Sequence, residues 1–349
     1  MYRIASIPGD GVGPEVVDET LRVLRRIEEL EGLEFEIVHY PFGGDHYLET
    51  GELMPDSVFS ELRDMHAILL GAIGDPRVEV GLLERAIVGG VRWKLDQYIN
   101  LRPIKLYAEH LTPIKDKKPE DIDMVFVREN TEGLYMGIGG HFKKGTPDEV
   151  AIQEMIMTRK GVERALRYAF ELTKKRNKER KLTLIDKQNA LPAQEIWSRA
   201  FEEVGAEYPD IQRDHAYIDA ACMWMVKNPE WFDVAVVDNM MGDIITDLGA
   251  AIQGGMGLAA SGNIHPGHVS MFEPIHGSAP KHAGKGVACP YATISALQMM
   301  LGELELASAA SRVDRAIALT LSSGKVPSLS TSSGIKTSEY TDILLGFLD

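Results

Sequence analysis

The densest group of chemically useful side chains is Asp238-Asn239-Met240-Met241-Gly242-Asp243-Ile244-Ile245-Thr246-Asp247. An apolar run, Val234 to Val237, leads into it as a strand would, and Leu248-Gly249-Ala250-Ala251 continues a helical pattern. On a helix, Asp243 and Asp247 stand four apart on one face with no evident protein counter-charge, and like charges there repel unless neutralised. A divalent cation neutralises them, and hard carboxylate oxygens suit magnesium or manganese, with positions left for water and substrate. Two solvated carboxylates near a helix start are the plain alternative. Asp186-Lys187-Gln188-Asn189 follows the strand-like run Leu182 to Ile185, at the end where α/β folds gather ligand-facing groups. Lys187 is either a surface cation or, once burial or a metal removes its proton, a base towards a hydroxyl. Tyr217-Ile218-Asp219-Ala220-Ala221-Cys222 sets a third carboxylate in apolar sequence, and a buried aspartate needs a partner.

Arg92, Arg102 and Arg128 lie at strand ends or in tight patterns. Arginine captures carboxylates with two parallel hydrogen bonds, so three of them suit a substrate with two carboxylates, although any one alone reads as a surface ion pair. Tyr135 is either a packed aromatic or a proton donor. Glu273-Pro274-Ile275-His276-Gly277-Ser278-Ala279-Pro280-Lys281-His282-Ala283-Gly284-Lys285-Gly286 makes a rigid loop dense in backbone donors, fit to wrap a nucleotide. Gly9-Asp10-Gly11-Val12-Gly13-Pro14 departs from the Gly-x-Gly-x-x-Gly fingerprint, with a glycine one residue early and proline in the first helical turn. It reads as a tight strand-to-helix turn or an anion site at a helix N-terminus.

The elements that must hold these residues alternate. Strand-like runs at Arg3 to Ile7, Glu34 to Val38, Ala67 to Ala72, Met124 to Val127, Leu182 to Ile185 and Val234 to Val237 are separated by amphipathic stretches such as Pro14 to Glu31 and Arg159 to Lys175. This predicts an α/β fold with helices on both faces of a sheet. Gly137 to Asp148 is rich in turn residues and reads as a protruding hairpin or arm. The 349 residues, 44% hydrophobic and 26% charged, suffice for two domains or one large one. A formal charge of −15 argues against nucleic acid as a partner. The basic run Lys174 to Lys181 reads as a solvated helix end complementing the helix dipole. No apolar run is long enough to span a membrane, so the default compartment is the cytoplasm. Cys222 and Cys289 are read as packing residues.

Taken in order along nearly the whole chain, Ile7-Pro8-Gly9-Asp10-Gly11-Val12-Gly13-Pro14-Glu15, the Arg92 to Arg102 block, Val127-Arg128-Glu129-Asn130-Thr131-Glu132-Gly133, Lys187 with Asn189, Asp219, Gly242-Asp243 to Asp247, and Glu273 to Gly286 resemble the isocitrate and isopropylmalate dehydrogenases. The resemblance implies a two-domain fold of that type, with a dinucleotide site that is not of the Rossmann kind. Its larger domain would hold residues 1–98 and 254–349, and its smaller one 99–253, with an arm at about 137–150 exchanged in a homodimer. The resemblance implies oxidative decarboxylation of a small dicarboxylate 2-hydroxy acid. Arg92, Arg102 and Arg128 would bind its carboxylates; Asp243, Asp247 and the second subunit's Asp219 would hold Mg2+ or Mn2+. Lys187, also from the second subunit, would be the base, Asn189 would lie near the nicotinamide, and Tyr135 would return a proton to carbon.

Substrate choice falls on Arg85 to Val91, including Val88, where the isopropylmalate enzymes place leucines. Gly89 and Gly90 follow Val88 here, so a smaller or polar substituent, as in tartrate or D-malate, competes with the isopropyl group; isocitrate and homoisocitrate fit less well. A non-catalytic regulatory subunit would lack some of these residues, and none is missing. The nucleotide loop implies contacts from Glu273, His276, Gly277, Ser278, Ala279, Pro280, Lys281, His282 and Cys289. NAD-using relatives typically carry aspartate where Lys281 stands, so NADP is expected to be accepted and preferred, with NAD as the family-typical alternative.

Overall fold

The computed structural model describes all 349 residues. Twelve strands form: β1 (Tyr2–Gly9), β2 (Phe35–His39), β3 (Ala67–Ala72), β4 (Ile99–Lys105), β5 (Asp123–Glu129), β6 (Gly139–Phe142), β7 (Val150–Gln153), β8 (Lys181–Asp186), β9 (Gln212–Tyr217), β10 (Val234–Val237), β11 (Ala260–Ile264) and β12 (Ser270–Pro274). All six expected strands are present, and helices Gly13–Glu31 and Arg159–Arg176 match the two amphipathic stretches within a residue. β4, β9, β11 and β12 were not foreseen, because each carries charged, Asn, Gly or Pro residues in place of an apolar run.

Ten strands make one sheet in the order β2-β1-β3-β12-β11-β4-β5-β10-β8-β9. Pairing is parallel towards both edges and antiparallel at the centre, where β11 joins β12 on one side and β4 on the other. Two apolar clusters on one half of the sheet draw on residues before Gln97 and after Gly257. Two more pack the other half, almost wholly from residues 99–252. β6 and β7 form the separate hairpin expected of the arm, and every residue from 135 to 154 is exposed.

The basic run ends its helix in solvent at Lys174, Lys175 and Lys178, as expected, and only Arg176 departs: its guanidinium bonds Asp233 at 2.7 Å and Asp123 at 2.6 Å, because Asp233 is fully buried at the foot of β10 and needs a cation. Gly89 and Gly90 are covered by rings. A side chain at Gly89 would meet the Trp93 ring, and one at Gly90 the Phe59 ring.

The Gly9-Asp10-Gly11 turn is structural. The Asp10 carboxylate accepts the backbone N–H of Gly44 at 2.6 Å and of Gly74 at 2.8 Å, and Val12 N–H donates to the Ser278 carbonyl at 2.8 Å. Glu15, in the first helical turn, accepts from the N–H groups of Gly284 and Gly286. The N-terminus of the first helix is therefore taken up by the 276–286 loop, which it fixes in place. Gly11 sits at φ +61°, and a Cβ there would overlap the Ser278 carbonyl oxygen.

Gly11→Ala should cost about 1–3 kcal/mol of stability, from left-handed strain and overlap with the loop together. Gly32→Ala is the control and should cost less: its φ is +64° but nothing lies within 4 Å of its Cβ position. Equal losses of the two variants in thermal melts would contradict this account of Gly11.

Candidate active site

Two arginines, Arg102 and Arg128, are buried at the middle of the sheet, a third, Arg92, is half-buried beside them, and each is placed by an identifiable element. Arg102 and Arg128 project from the neighbouring central strands β4 and β5, and Arg92 from the short helix Gly90–Lys94. Arg128 lies over Gly242, where a Cβ would stand 2.7 Å from Arg128 Cγ, so only glycine admits it. Its Nη1 donates to Asp243 Oδ1 at 2.6 Å, and its Nε and Nη2 to Asn239 Oδ1 at 3.1 and 2.8 Å. Arg102 donates from Nε to Asn100 at 2.6 Å, from Nη1 to Thr246 at 2.6 Å and from Nη2 to Asp243 at 3.2 Å. Arg92 Nη2 pairs with Glu273 at 2.8 Å, while its buried Nε has no partner.

This geometry corrects the view that the Asp243–Asp247 pair lacks a protein counter-charge. Helix Asn239–Gln253, capped by Asp238 accepting from Met241 N–H, presents Asn239, Asp243 and Asp247 at four-residue steps on the face that meets the arginines. Burial alone would raise the Asp243 carboxylate, but Arg128 and then Arg102 outweigh it and hold it below the usual range. Asp247, 3.8 Å from Arg102, is raised instead, by burial first and by Asp243 as well. Burial, with Arg102 next, pushes the Arg128 guanidinium down to about 9, and burial lowers Arg102 too. Tyr135 donates to Asp243 Oδ2 at 3.2 Å; burial and then Asp243 raise its phenol, keeping the proton available.

Lys187 and Asp219 form a second, separate group. Lys187 follows β8 and Asp219 opens helix Ile218–Lys227, and Lys187 Nζ donates to Asp219 at 2.7 Å. The expectation that Asp219 sits in apolar surroundings is corrected. Its side chain is 69% exposed, because the helix start beyond edge strand β9 faces outwards, and Lys187 lowers its carboxyl. Asn189 is exposed on the turn after β8. No three His, Cys, Asp or Glu side chains stand together as a metal set within the chain. Asp243 and Asp247 offer hard oxygen donors of the right kind, two in number.

A cavity of about 610 Å³ runs beside the 276–289 loop. His276, Gly277, Ala279 and Cys289 line it, as expected; His110, Gly254 to Gly257 and Pro327 to Thr331 line it unforeseen. Burial lowers the His276 imidazole and pushes the Cys289 thiol up to about 12. Ser278 turns away, its hydroxyl donating to the Gly74 carbonyl at 2.5 Å, and Ala279 holds the loop at φ +43°. Pro280, Lys281 and His282 form the next turn, outside the lining, with Lys281 exposed and in no ion pair. Glu273 is buried under Arg92 and Asn263, and a smaller cavity of about 140 Å³ between Val88, Arg92, Arg102, Glu273 and His276 adjoins the larger one at His276 and Gly277. Asn239 was recoverable from its four-residue step to Asp243. The Pro327 to Thr331 segment has no periodicity or motif that announces it.

An α/β protein that gathers three arginines, two of them buried, beside hard carboxylates, next to a cavity of nucleotide size, has the makings of a dehydrogenase acting on a small acid. The isocitrate/isopropylmalate dehydrogenase family model matches residues 3–344, and the chain belongs to that family of decarboxylating dehydrogenases. The family works with a nicotinamide cofactor and a divalent metal. The chain is 52% identical over 319 residues to a 3-isopropylmalate dehydrogenase of Thermobifida fusca, covering 90% of each. It is 48% identical over 333 residues to one of Mycolicibacterium vanbaalenii, covering 95% of this chain and 97% of the other. The isocitrate dehydrogenase of Methylococcus capsulatus superposes with a TM-score of 0.90 at 34% identity, covering 100% and 99%. No helix is long and apolar enough to cross a membrane.

Asp243→Asn should lower the melting temperature of metal-free protein, since the Arg128 charge loses its carboxylate at a cost of about 1–3 kcal/mol. Asp247→Asn, in looser contact, should leave that temperature nearly unchanged. Calorimetry in chelator checks the pair; equal melts would mean that Asp243 does not serve as the counter-charge.

Proposed function

We propose that the chain oxidises and decarboxylates 3-isopropylmalate to 4-methyl-2-oxopentanoate, the step its curated relatives perform in leucine biosynthesis. The observation that carries this is the meeting of Arg92 and Arg102 at one small cavity, with Arg128 tied to Arg102 through Asp243 and the buried Arg92 Nε unpartnered. A buried donor of this strength calls for an acceptor, and a substrate carboxylate is one. Bound metal and dinucleotide would supply charge stabilisation at the reacting oxygen and a hydride acceptor. The protein's own part is positional and acid–base. Arg92, Arg102 and Arg128 hold the carboxylates, Lys187 takes the hydroxyl proton, and Tyr135 returns a proton to carbon after carbon dioxide is lost. Lys187 accepts no proton while its ammonium donates to Asp219, so this ion pair must open first.

The Lys187–Asp219 group and the arginine group lie apart in one chain, which supports a homodimer in which each active site takes Lys187, Asn189 and Asp219 from the second copy. Asp219 then completes a Mg2+ or Mn2+ site with Asp243 and Asp247. Exposed apolar side chains suit burial between copies: Met223 and Val226 on helix Ile218–Lys227, Ile244 beside Asp243, and Phe142, Val150 and Ile152 on the arm. The division of the apolar clusters supports a larger domain of residues 1–98 and 254–349 and a smaller one of 99–253. With Gly89 and Gly90 covered by rings, no observation favours tartrate or D-malate over isopropylmalate.

Lys187→Met should abolish turnover yet retain substrate binding. Mixed with Asp243→Asn protein, it should regain activity, because a heterodimer carries one site with both defects and one with neither. Absent recovery after demonstrated subunit exchange would refute the shared site.

The cavity beside the loop fits an adenosine moiety: none of its lining residues is acidic, and Ser328, Ser330 and Thr331 offer hydroxyl donors. With Lys281 exposed nearby, this supports NADP as the preferred dinucleotide and NAD as the weaker one. A charge-assisted bond to the 2′-phosphate is worth about 1.5–3 kcal/mol, roughly a ten- to hundredfold preference. Lys281→Asp should move the ratio of kcat/KM values towards NAD by that amount. An unmodified enzyme that uses NAD equally well, with no change on substitution, would show that Lys281 does not reach the phosphate.

A further inference from the structure

The helix that carries Arg92 begins on a wide turn. Leu82–Glu84 is a single α-helical turn, Arg85–Gly89 winds as a π-helix, and Gly90–Lys94 returns to α-helix. Such bulges re-aim side chains and recur at functional sites. Here Val88 reaches the wall of the small cavity beside Arg92 and Glu273. Gly89, the next residue, has no side chain, and the space is taken: a Cβ there would lie 2.9 Å from Trp93 Cζ3, 3.1 Å from Cη2 and 3.4 Å from Cε3. The six-membered ring of the indole therefore rests on the Gly89 backbone. Trp93 belongs to none of the apolar clusters and remains 40% exposed. Residues 89 and 93 share one helix face, and 88 and 92 share the adjoining one. The indole is not among the residues that line the small cavity, but helical spacing puts it on the face adjoining the one that carries Val88 and Arg92.

We propose that Trp93 is a specificity-determining residue. Its indole, seated where a side chain at position 89 would stand, forms with Val88 the wall that receives the substrate's C3 substituent. Such a wall rewards each added methyl or methylene group, is indifferent to hydrogen, and disfavours a hydroxyl that must give up water without gaining a partner. The inference rests on the isopropylmalate reading for the identity of the best substituent, but the wall is tested by how rate varies with substituent size.

The experiment measures kcat and KM, with metal and dinucleotide saturating, for malate, 3-methylmalate, 3-ethylmalate, 3-isopropylmalate and tartrate. It uses the full-length enzyme and its Trp93→Ala, Trp93→Phe and Gly89→Ala variants. In the unmodified enzyme kcat/KM should rise along the alkyl series. Trp93→Ala should cut kcat/KM for 3-isopropylmalate about tenfold, through KM, while malate stays within about twofold. Gly89→Ala, which evicts the ring from its seat, should do the same. Trp93→Phe should fall between, and it stands in if the alanine variant does not fold. An equal fall for every substrate would show that Trp93 only supports the helix, and an unchanged isopropyl-to-malate ratio would show that it does not touch the substituent; either overturns the proposal. An unmodified enzyme with no preference for 3-isopropylmalate would instead sink the substrate assignment, and the Trp93 wall would still stand if Trp93→Ala changed the alkyl series.

Discussion

Two guanidiniums buried at the centre of a sheet, with a third half-buried beside them, impose the main constraint on this structure, because each charge taken from water costs several kcal/mol unless it is paired and hydrogen-bonded. A continuous polar network meets that cost. Glu273 accepts from Arg92 and Asn263, Asn263 accepts from Asn100 and Asn130, Asn100 accepts from Arg102, and Arg102 and Arg128 close on Asp243. Its members come from β4, β11, β12, the end of β5, and two helices. The antiparallel centre of the sheet is what brings strands so distant in sequence side by side. β11 and β12 are therefore short and polar where a core strand is normally apolar, and they are buried nonetheless.

The network also divides the carboxylates by task. Asp243 is drawn to the arginines and held ionised, while Asp247, one turn further and less closely matched, is raised. On the proposed assignment, a cation at this pair would meet two guanidiniums already competing for the same oxygens, and its hold would depend on further anionic ligands. A substrate that brings carboxylates to the arginines supplies charge of that sign, which couples metal and substrate binding by simple electrostatics.

The fold was legible wherever burial is two-sided and apolar. β3 and β10, buried at every position, stand at their expected bounds, and the helices with strong amphipathic spacing were right to a residue. Legibility failed where function displaced apolar residues from the centre of the sheet, at β4, β11 and β12, and at edge strand β9, which is polar because it is exposed. At the site, residue type and spacing pointed to the three arginines and to Asp243 with Asp247, but not to which carboxylate answers which guanidinium. That pairing is set by the packing of helix Asn239–Gln253 on β4 and β5, across more than 100 residues of sequence. Two glycines after Val88 suggested a smaller or polar substituent, since a sequence names the missing side chain and not the ring that folds back over it.

Charge distribution makes the same point over a longer range. Acidic residues number 52 against 37 basic ones, and they crowd most of the surface, yet the cavity beside the 276–289 loop has none in its lining. The nearest acidic group the loop uses, Glu15, is spent on the N–H groups of Gly284 and Gly286 and so points away from the cavity. An anionic ligand approaching this protein meets a repulsive mean field, screened beyond about 8–10 Å at ordinary ionic strength, and then a local region free of carboxylates. Backbone donors at glycines and neutral hydroxyls are enough to hold it there. On the proposed assignment, this carboxylate-free cavity, adjoining the smaller one where Glu273 is paired with Arg92, would let a dinucleotide and a small acid lie next to each other in a strongly acidic protein.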